Sequence, residues 1–104
     1  MEKKLNVGER LIILQMLPKE GNFTTLKIIR DLVNKVGISA EEYTEFGVEQ
    51  ISDKVTWNLN GSKEKAIDFK QKEIEVISDV LEDLDKASKL EFKHFSLFEK
   101  FRGD

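Results

Sequence analysis

The chain contains no cysteine, a single proline and a single histidine among its 104 residues. The absence of cysteine excludes disulfide bonds and every zinc or redox site that is built on thiolates. Long hydrophobic runs are also missing, because the longest apolar stretch, residues 11–17, is far shorter than the roughly 20 residues that cross a bilayer. No secretory signal is recognisable before it. We therefore expect a cytoplasmic protein with no membrane segment.

Length and composition favour one compact domain over residues 1–104. Hydrophobic residues make up 39% of the chain, and the formal net charge is -3. Two domains of half this length would each bury too little apolar surface to offset the entropy of the ordered chain.

Five helices are predicted from hydrophobic periodicity and capping residues. They run from Asn6 to just before Pro18, from Thr24 or Thr25 to Gly37, from Ser39 to near Gly47, from about Gln71 to Leu90 and from about Lys93 to Phe101. Asn6 with Glu9, and Ser39 with Glu42, have the spacing of capping boxes. The first helix is apolar on almost every side, which favours a central position in the fold over a surface that a partner covers.

Between the third and fourth helices the hydrophobic period changes to two. Apolar and polar residues alternate over residues 55–59, as they do in a half-buried strand. Residues 48–51 can pair with this strand, and residues 66–69 can return as a third strand after an Asn60-Gly61 turn. The predicted fold class is therefore α+β and mostly helical, with about five helices and a small antiparallel β-hairpin or three-stranded sheet between helices 3 and 4.

No catalytic, cofactor-binding or metal-ligating residue is predicted, and we do not expect an enzyme. His94 has no cysteine to activate and no serine in a strained elbow, so it is interpreted as a helix-surface residue. Glu75, Asp79 and Asp83 recur every four residues on the fourth helix. This stripe lies opposite the apolar face, so a solvated surface is favoured over a divalent-metal-dependent enzyme.

A winged-helix-like regulator that binds nucleic acid is the main alternative function. The second helix, the third helix and the hairpin have the order of that motif, in which the second of the two helices enters the major groove. That helix would present Glu41, Glu42 and Glu45 to the phosphates. Because the charges would repel, we do not expect nucleic acid as the partner.

The final helix carries the strongest indication of a binding surface. Phe92, Phe95, Phe98 and Phe101 recur every three residues, and the last three of them with Leu97 span an apolar arc of roughly 160°. We predict that Phe95 and Phe98 dock on the domain. The candidate partner-facing residues are Leu97, Phe98 and Phe101, with a rim of Lys93, Glu99, Lys100 and Arg102.

This pattern favours a non-enzymatic protein-interaction module that binds another protein or a second copy of itself. The alternative for the final helix is that it lies in a cleft and buries every ring.

Three segments together resemble small uncharacterised proteins of phage and prophage gene clusters. They are LIILQMLPKEGNFTTLKIIRDL at residues 11–32, VTWN at residues 55–58 and SLFEKF at residues 96–101. The resemblance implies a phage-related role in the cytoplasm of a bacterium or a phage-infected host. It implies no activity, ligand or functional residue.

Overall fold

A computed structural model describes residues 1–58 and 62–102 of the chain. In chain order the elements are β1 (Glu2–Leu5), α1 (Val7–Met16), α2 (Phe23–Val36), α3 (Ala40–Phe46), β2 (Glu49–Ile51), β3 (Lys54–Thr56), β4 (Lys65–Asp68), α4 (Gln71–Lys86), a 3-10 turn (Phe92–His94) and α5 (Phe95–Phe101). The predicted fold class is confirmed: the fold is α+β and mostly helical, with an antiparallel hairpin between α3 and α4.

The capping signals of the sequence operate as predicted. Asn6 Oδ1 accepts from the Glu9 amide at 2.8 Å, and the Glu9 carboxylate accepts from the Asn6 amide at 3.0 Å. The same reciprocal bonds join Ser39 and Glu42 at the start of α3. These bonds satisfy amide groups that have no partner within the helix, which makes each helix start visible in the local sequence.

Three helix boundaries differ from the prediction. α2 begins at Phe23, because the side chain of Asn22 accepts from the Thr25 amide and acts as the cap. α4 ends at Lys86 rather than at Leu90, and Ser88 has a positive φ of 56° in the turn that follows. The chain then reaches α5 through the 3-10 turn, so α5 begins at Phe95 rather than at about Lys93.

Strands β2 and β3 form the predicted hairpin, with Gln50 opposite Val55. Gly47 joins α3 to this hairpin in the left-handed region, at φ 58°, which favours glycine. The Asn60-Gly61 turn and Leu59 lie outside the described residues.

The alternative of a three-stranded sheet is wrong for the described strands. The strand predicted over residues 66–69 forms as β4, but it pairs with β1 at the start of the chain, with Lys3 opposite Ile67. β1 has the sequence EKKL, whose three charged residues hide the alternation of a strand. The pairing joins residues at least 60 positions apart, so no local pattern indicates it.

The core lies between α1, α2, α4, α5 and the β1–β4 sheet. Its buried members include Leu5, Ile13, Leu17, Ile29, Leu32, Val36, Ile67, Phe69, Ile74, Ile77, Leu81, Leu97 and Phe101. Most residues of α1 are buried or half-buried, in agreement with the central position predicted for it. Among the described helices, none combines the length and apolar character that crossing a membrane requires.

Candidate protein-interaction surface

The structure reverses the predicted orientation of the final helix. Leu97 is fully buried and Phe101 is only 8% exposed, whereas Phe95 is 60% exposed. Phe98, the third candidate residue, is half-buried against the core. The ring of Phe101 meets the ring of Phe69 edge-on at a centroid distance of 5.7 Å. Leu97 and Phe101 therefore stabilise the core, and the aromatic surface of α5 is on its other side.

Charged side chains hold α5 in this orientation. Lys100 Nζ binds the buried carboxylate of Glu9 at 2.8 Å, which connects α5 to the start of α1. Lys3 Nζ donates to the backbone carbonyl of Lys100 at 2.6 Å, and its ammonium group lies over the ring of Phe101. These contacts lie on the side of Phe101, so the side of Phe95 faces away from the core.

The outward side carries a surface that we call the aromatic patch: Leu90, Phe92, Phe95 and Phe98. Phe92 is 94% exposed, and its ring centroid lies 6.4 Å from that of Phe95. Two adjoining cavities, of about 200 and 250 Å³, share Leu90 and Phe95 in their linings. The described fold thus exposes neighbouring aromatic rings beside concave surface.

Three carboxylates surround the aromatic patch, and we call Asp85, Glu91 and Glu99 the acidic rim. All three are exposed and line the cavity of about 200 Å³, and Glu91 also lines the cavity of about 250 Å³. Lys93 lies 3.5 Å from the carboxylate of Glu91. The charged residues that line the two cavities are nevertheless all acidic, which suits a partner of the opposite sign.

The rim predicted from the sequence was more basic than the one observed. Lys100 is half-buried in its pairs with Glu9 and Glu64, and Arg102 pairs with Glu82. Ion pairing within the chain therefore engages these two cations. Of the predicted rim, Glu99 lines the aromatic patch.

His94 is buried, which corrects its interpretation as a helix-surface residue. Its Nδ1 accepts from the Glu91 amide at 3.0 Å, so the ring closes the turn that leads into α5. Burial, and then the nearby Lys93 cation, lower the pKa of His94. A neutral ring is the form that accepts this hydrogen bond. His94 thus positions the exposed rings on either side of it, which are Phe92 and Phe95.

A second groove lies along α1 and reaches Lys93. Cavities of about 350 and 250 Å³ share Ile12, Gln15 and Lys93 in their linings. His94 borders the larger cavity, and Trp57 borders the smaller. The groove combines apolar side chains with polar ones, including Asp53 and the Lys93 cation that both of its cavities share.

The carboxylate stripe on α4 is solvated, as predicted. Glu75, Asp79 and Asp83 are exposed, while Ile77 and Leu81 are buried on the other side of the helix. Within residues 1–58 and 62–102, no three histidine, cysteine or acidic side chains are arranged to hold a metal ion.

The winged-helix alternative depends on α3, which is peripheral and acidic. Glu41 and Glu45 are exposed, and no residue of the helix is buried. Glu42 is turned inward, where it binds Arg10 through two hydrogen bonds of 2.7 and 2.9 Å. The outer surface of α3 therefore presents carboxylates.

Sequence reasoning missed Phe92 and Phe95 as exposed residues. A signal was present, because helical spacing places Glu99 on the same side as these rings and Lys100 towards Leu97 and Phe101. A carboxylate marks the solvent side of a helix unless it is paired.

Comparison with known proteins finds no match for this chain among family models, curated proteins or solved structures. The function is therefore inferred from the chemistry of the surface.

Proposed function

We propose that this protein is a non-enzymatic interaction module whose aromatic patch binds a cationic amphipathic helix of another protein chain. The observation that carries the proposal is the exposure of Phe92 and Phe95 beside adjoining cavities. Exposed apolar surface costs free energy in water, and contiguous patches with a polar rim are typical of interaction sites. Aromatic residues are also enriched in protein interfaces.

The acidic rim supports a cationic partner. Asp85, Glu91 and Glu99 can each accept a hydrogen bond from a lysine or arginine of the partner, while its apolar side chains fill the cavities. The face of an exposed phenylalanine ring also attracts a cation. An amphipathic helix supplies both types of side chain along one face.

The resemblance of three segments of the sequence to phage and prophage proteins indicates where this partner is found. Similarity to small phage and prophage proteins favours a partner from a phage or its bacterial host, in the cytoplasm.

A labelled helical peptide of leucine and lysine tests the proposal, with a matched peptide in which glutamate replaces lysine. Fluorescence anisotropy should detect saturable binding of the lysine peptide, weaker at higher salt because exposed charges are screened. Phe95→Ser should weaken this binding at least tenfold, since buried aromatic anchors dominate interface energies.

Tyr43→Ser is the matched control, because Tyr43 is an exposed ring on α3, outside the aromatic patch. This variant should bind the lysine peptide as the unmodified chain does. Equal binding of both peptides, or binding unaffected by Phe95→Ser, would contradict the proposal.

A further inference from the structure

A second amphipathic surface lies on the outer side of α2. Phe23 is 77% exposed, and Leu26 and Val33 are also exposed. With a step of about 100° per residue, these side chains and those of Lys27 and Arg30 share an arc of about 120°. We call Phe23, Leu26, Lys27, Arg30 and Val33 the basic stripe.

The basic stripe has no role in the core of the chain. Ile29, Leu32 and Val36 are buried on the opposite side of α2. The ammonium group of Lys27 lies 5.6 Å from the ring centroid of Phe23, and Arg30 pairs with the adjacent Asp31 at 3.8 Å. Pairs of this exposed kind contribute little stability, so both cations can exchange them for a partner.

The basic stripe matches the chemistry required of a partner for the aromatic patch. It places apolar residues at positions 23, 26 and 33 and cations at 27 and 30 on one face of a helix. The aromatic patch offers apolar cavities with Asp85, Glu91 and Glu99 around them. Both surfaces therefore have an apolar centre, and the charges around the two centres are opposite in sign.

We propose that the aromatic patch of one copy of this chain docks on the basic stripe of a second copy. The inference rests on the proposed function, because it names the cationic helix that the patch binds. The two surfaces belong to different elements, α5 with its preceding turn and α2. The contact is heterologous, which means that it joins two different surfaces. In a pair of docked copies, one basic stripe and one aromatic patch therefore stay free to bind further copies, and the assembly grows into a ring or an open chain.

Sedimentation velocity on the full chain tests this docking. The average mass of the unmodified protein should rise with concentration and fall with added salt, because complementary exposed charges are screened. Phe95→Ser removes one ring of the aromatic patch, and Arg30→Glu reverses one charge of the basic stripe. Each variant alone should remain monomeric at concentrations where the unmodified protein assembles, a loss of at least tenfold in affinity.

Mixing the two variants distinguishes heterologous docking from other modes of self-association. The Arg30→Glu chain retains an intact aromatic patch, and the Phe95→Ser chain retains an intact basic stripe. The mixture should therefore form a one-to-one heterodimer and nothing larger. The double variant Arg30→Glu, Glu91→Lys should recover part of the self-association, because the reversed charges attract again.

Asp79→Lys is the matched control, since it reverses an exposed charge on α4 outside both surfaces. It should assemble as the unmodified protein does. At a concentration where the unmodified protein is monomeric, circular dichroism should report an unchanged melting temperature for every variant at these exposed positions. Assembly that survives both Phe95→Ser and Arg30→Glu would overturn the inference. A protein that stays monomeric at about 1 mM while it binds the lysine peptide would also overturn it, yet would leave the proposed function standing.

Discussion

At the scale of single residues, Arg10 is the most consequential charged side chain in the described fold. It is 1% exposed, and its guanidinium donates to the carbonyls of Val36 and Gly37 and to the carboxylate of Glu42. One side chain thereby joins α1, the end of α2 and the start of α3. Burial of a charge is tolerated here because an ion pair and several hydrogen bonds replace its hydration.

The partner of Arg10 makes stability depend on acid. The hydrogen bond from Arg10 is the main reason that the pKa of Glu42 falls from 4.5 to about 2. As the pH falls, Glu42 is therefore protonated in the unfolded chain before it is protonated in the folded one. Its contribution to the free energy of unfolding is complete above about pH 4.5 and is lost as the pH falls towards 2. Urea unfolding across this range should show the loss. Glu42→Gln should reduce this pH dependence.

The same variant tests the ion pair itself. Glu42→Gln should lower the free energy of unfolding at neutral pH by about 3 to 5 kcal/mol, because the buried guanidinium loses its counter-charge. Glu41→Gln, a change at the exposed neighbouring position, is the control and should leave stability nearly unchanged. Equal effects of the two substitutions would contradict this account of Arg10.

The two sides of the final helix are distinguished by truncating one ring on each. Phe101→Ala should lower the free energy of unfolding by about 3 to 5 kcal/mol, because it leaves a cavity beside Phe69. Phe95→Ala should change it by no more than about 0.5 kcal/mol, since this ring is exposed. Denaturant titration measures both values. A larger loss for Phe95→Ala than for Phe101→Ala would mean that the opposite side of α5 is buried.

At the scale of elements, α4 has its apolar residues on one face and its carboxylates on the other. Its inner face supplies Ile77 and Leu81 to the core, and its outer face carries the carboxylates of Glu75, Asp79 and Asp83. Like charges four residues apart cost only about 0.2 to 0.5 kcal/mol per pair on an exposed helix. Packing of the inner face can therefore maintain the helix without a cation on the outer face.

Divalent cations should leave this helix unaffected. Millimolar Mg²⁺ or Ca²⁺ should not raise the melting temperature measured by circular dichroism, because solvated carboxylates on one helix face do not form a closed oxygen cage. The double variant Glu75→Gln, Asp79→Asn serves as the control for weak screening effects. A rise of several degrees that this variant abolishes would instead indicate a metal site.

At the scale of the whole molecule, α2, α3 and the hairpin follow one another in the order of a winged helix-turn-helix. The charge of α3, the helix that would enter the major groove, opposes that function. Glu41 and Glu45 are exposed on α3, and the chain has a net charge of -3. The order of elements alone therefore does not make a surface that attracts phosphate groups.

Duplex DNA should accordingly bind no better than millimolar at about 150 mM salt. Fluorescence anisotropy with a labelled duplex measures this directly, and a titration at low salt is the control for weak electrostatic attraction. Micromolar affinity with a steep dependence on salt would contradict the prediction and favour the nucleic-acid-binding alternative.

The sequence by itself determined the features that depend on neighbouring residues. Asn6 and Ser39 were recognisable as helix caps because each bonds to an amide only three residues away. The stop before Pro18 and the β2–β3 hairpin follow from equally local geometry. Such features are predictable because the residues that interact are close together in the sequence.

Only the tertiary structure decided which surfaces are buried. The pairing of β1 with β4 and the contact of Arg10 with Glu42 join residues that are distant in the sequence. For α5 the sequence offered an apolar arc wider than one groove covers, so hydrophobicity alone did not select a side. Contacts from Phe69 and from Lys3 fixed Phe101 inward. With Phe101 buried, Phe92 and Phe95 lie on the other side of the helix, away from the core, and the exposed aromatic patch is the result.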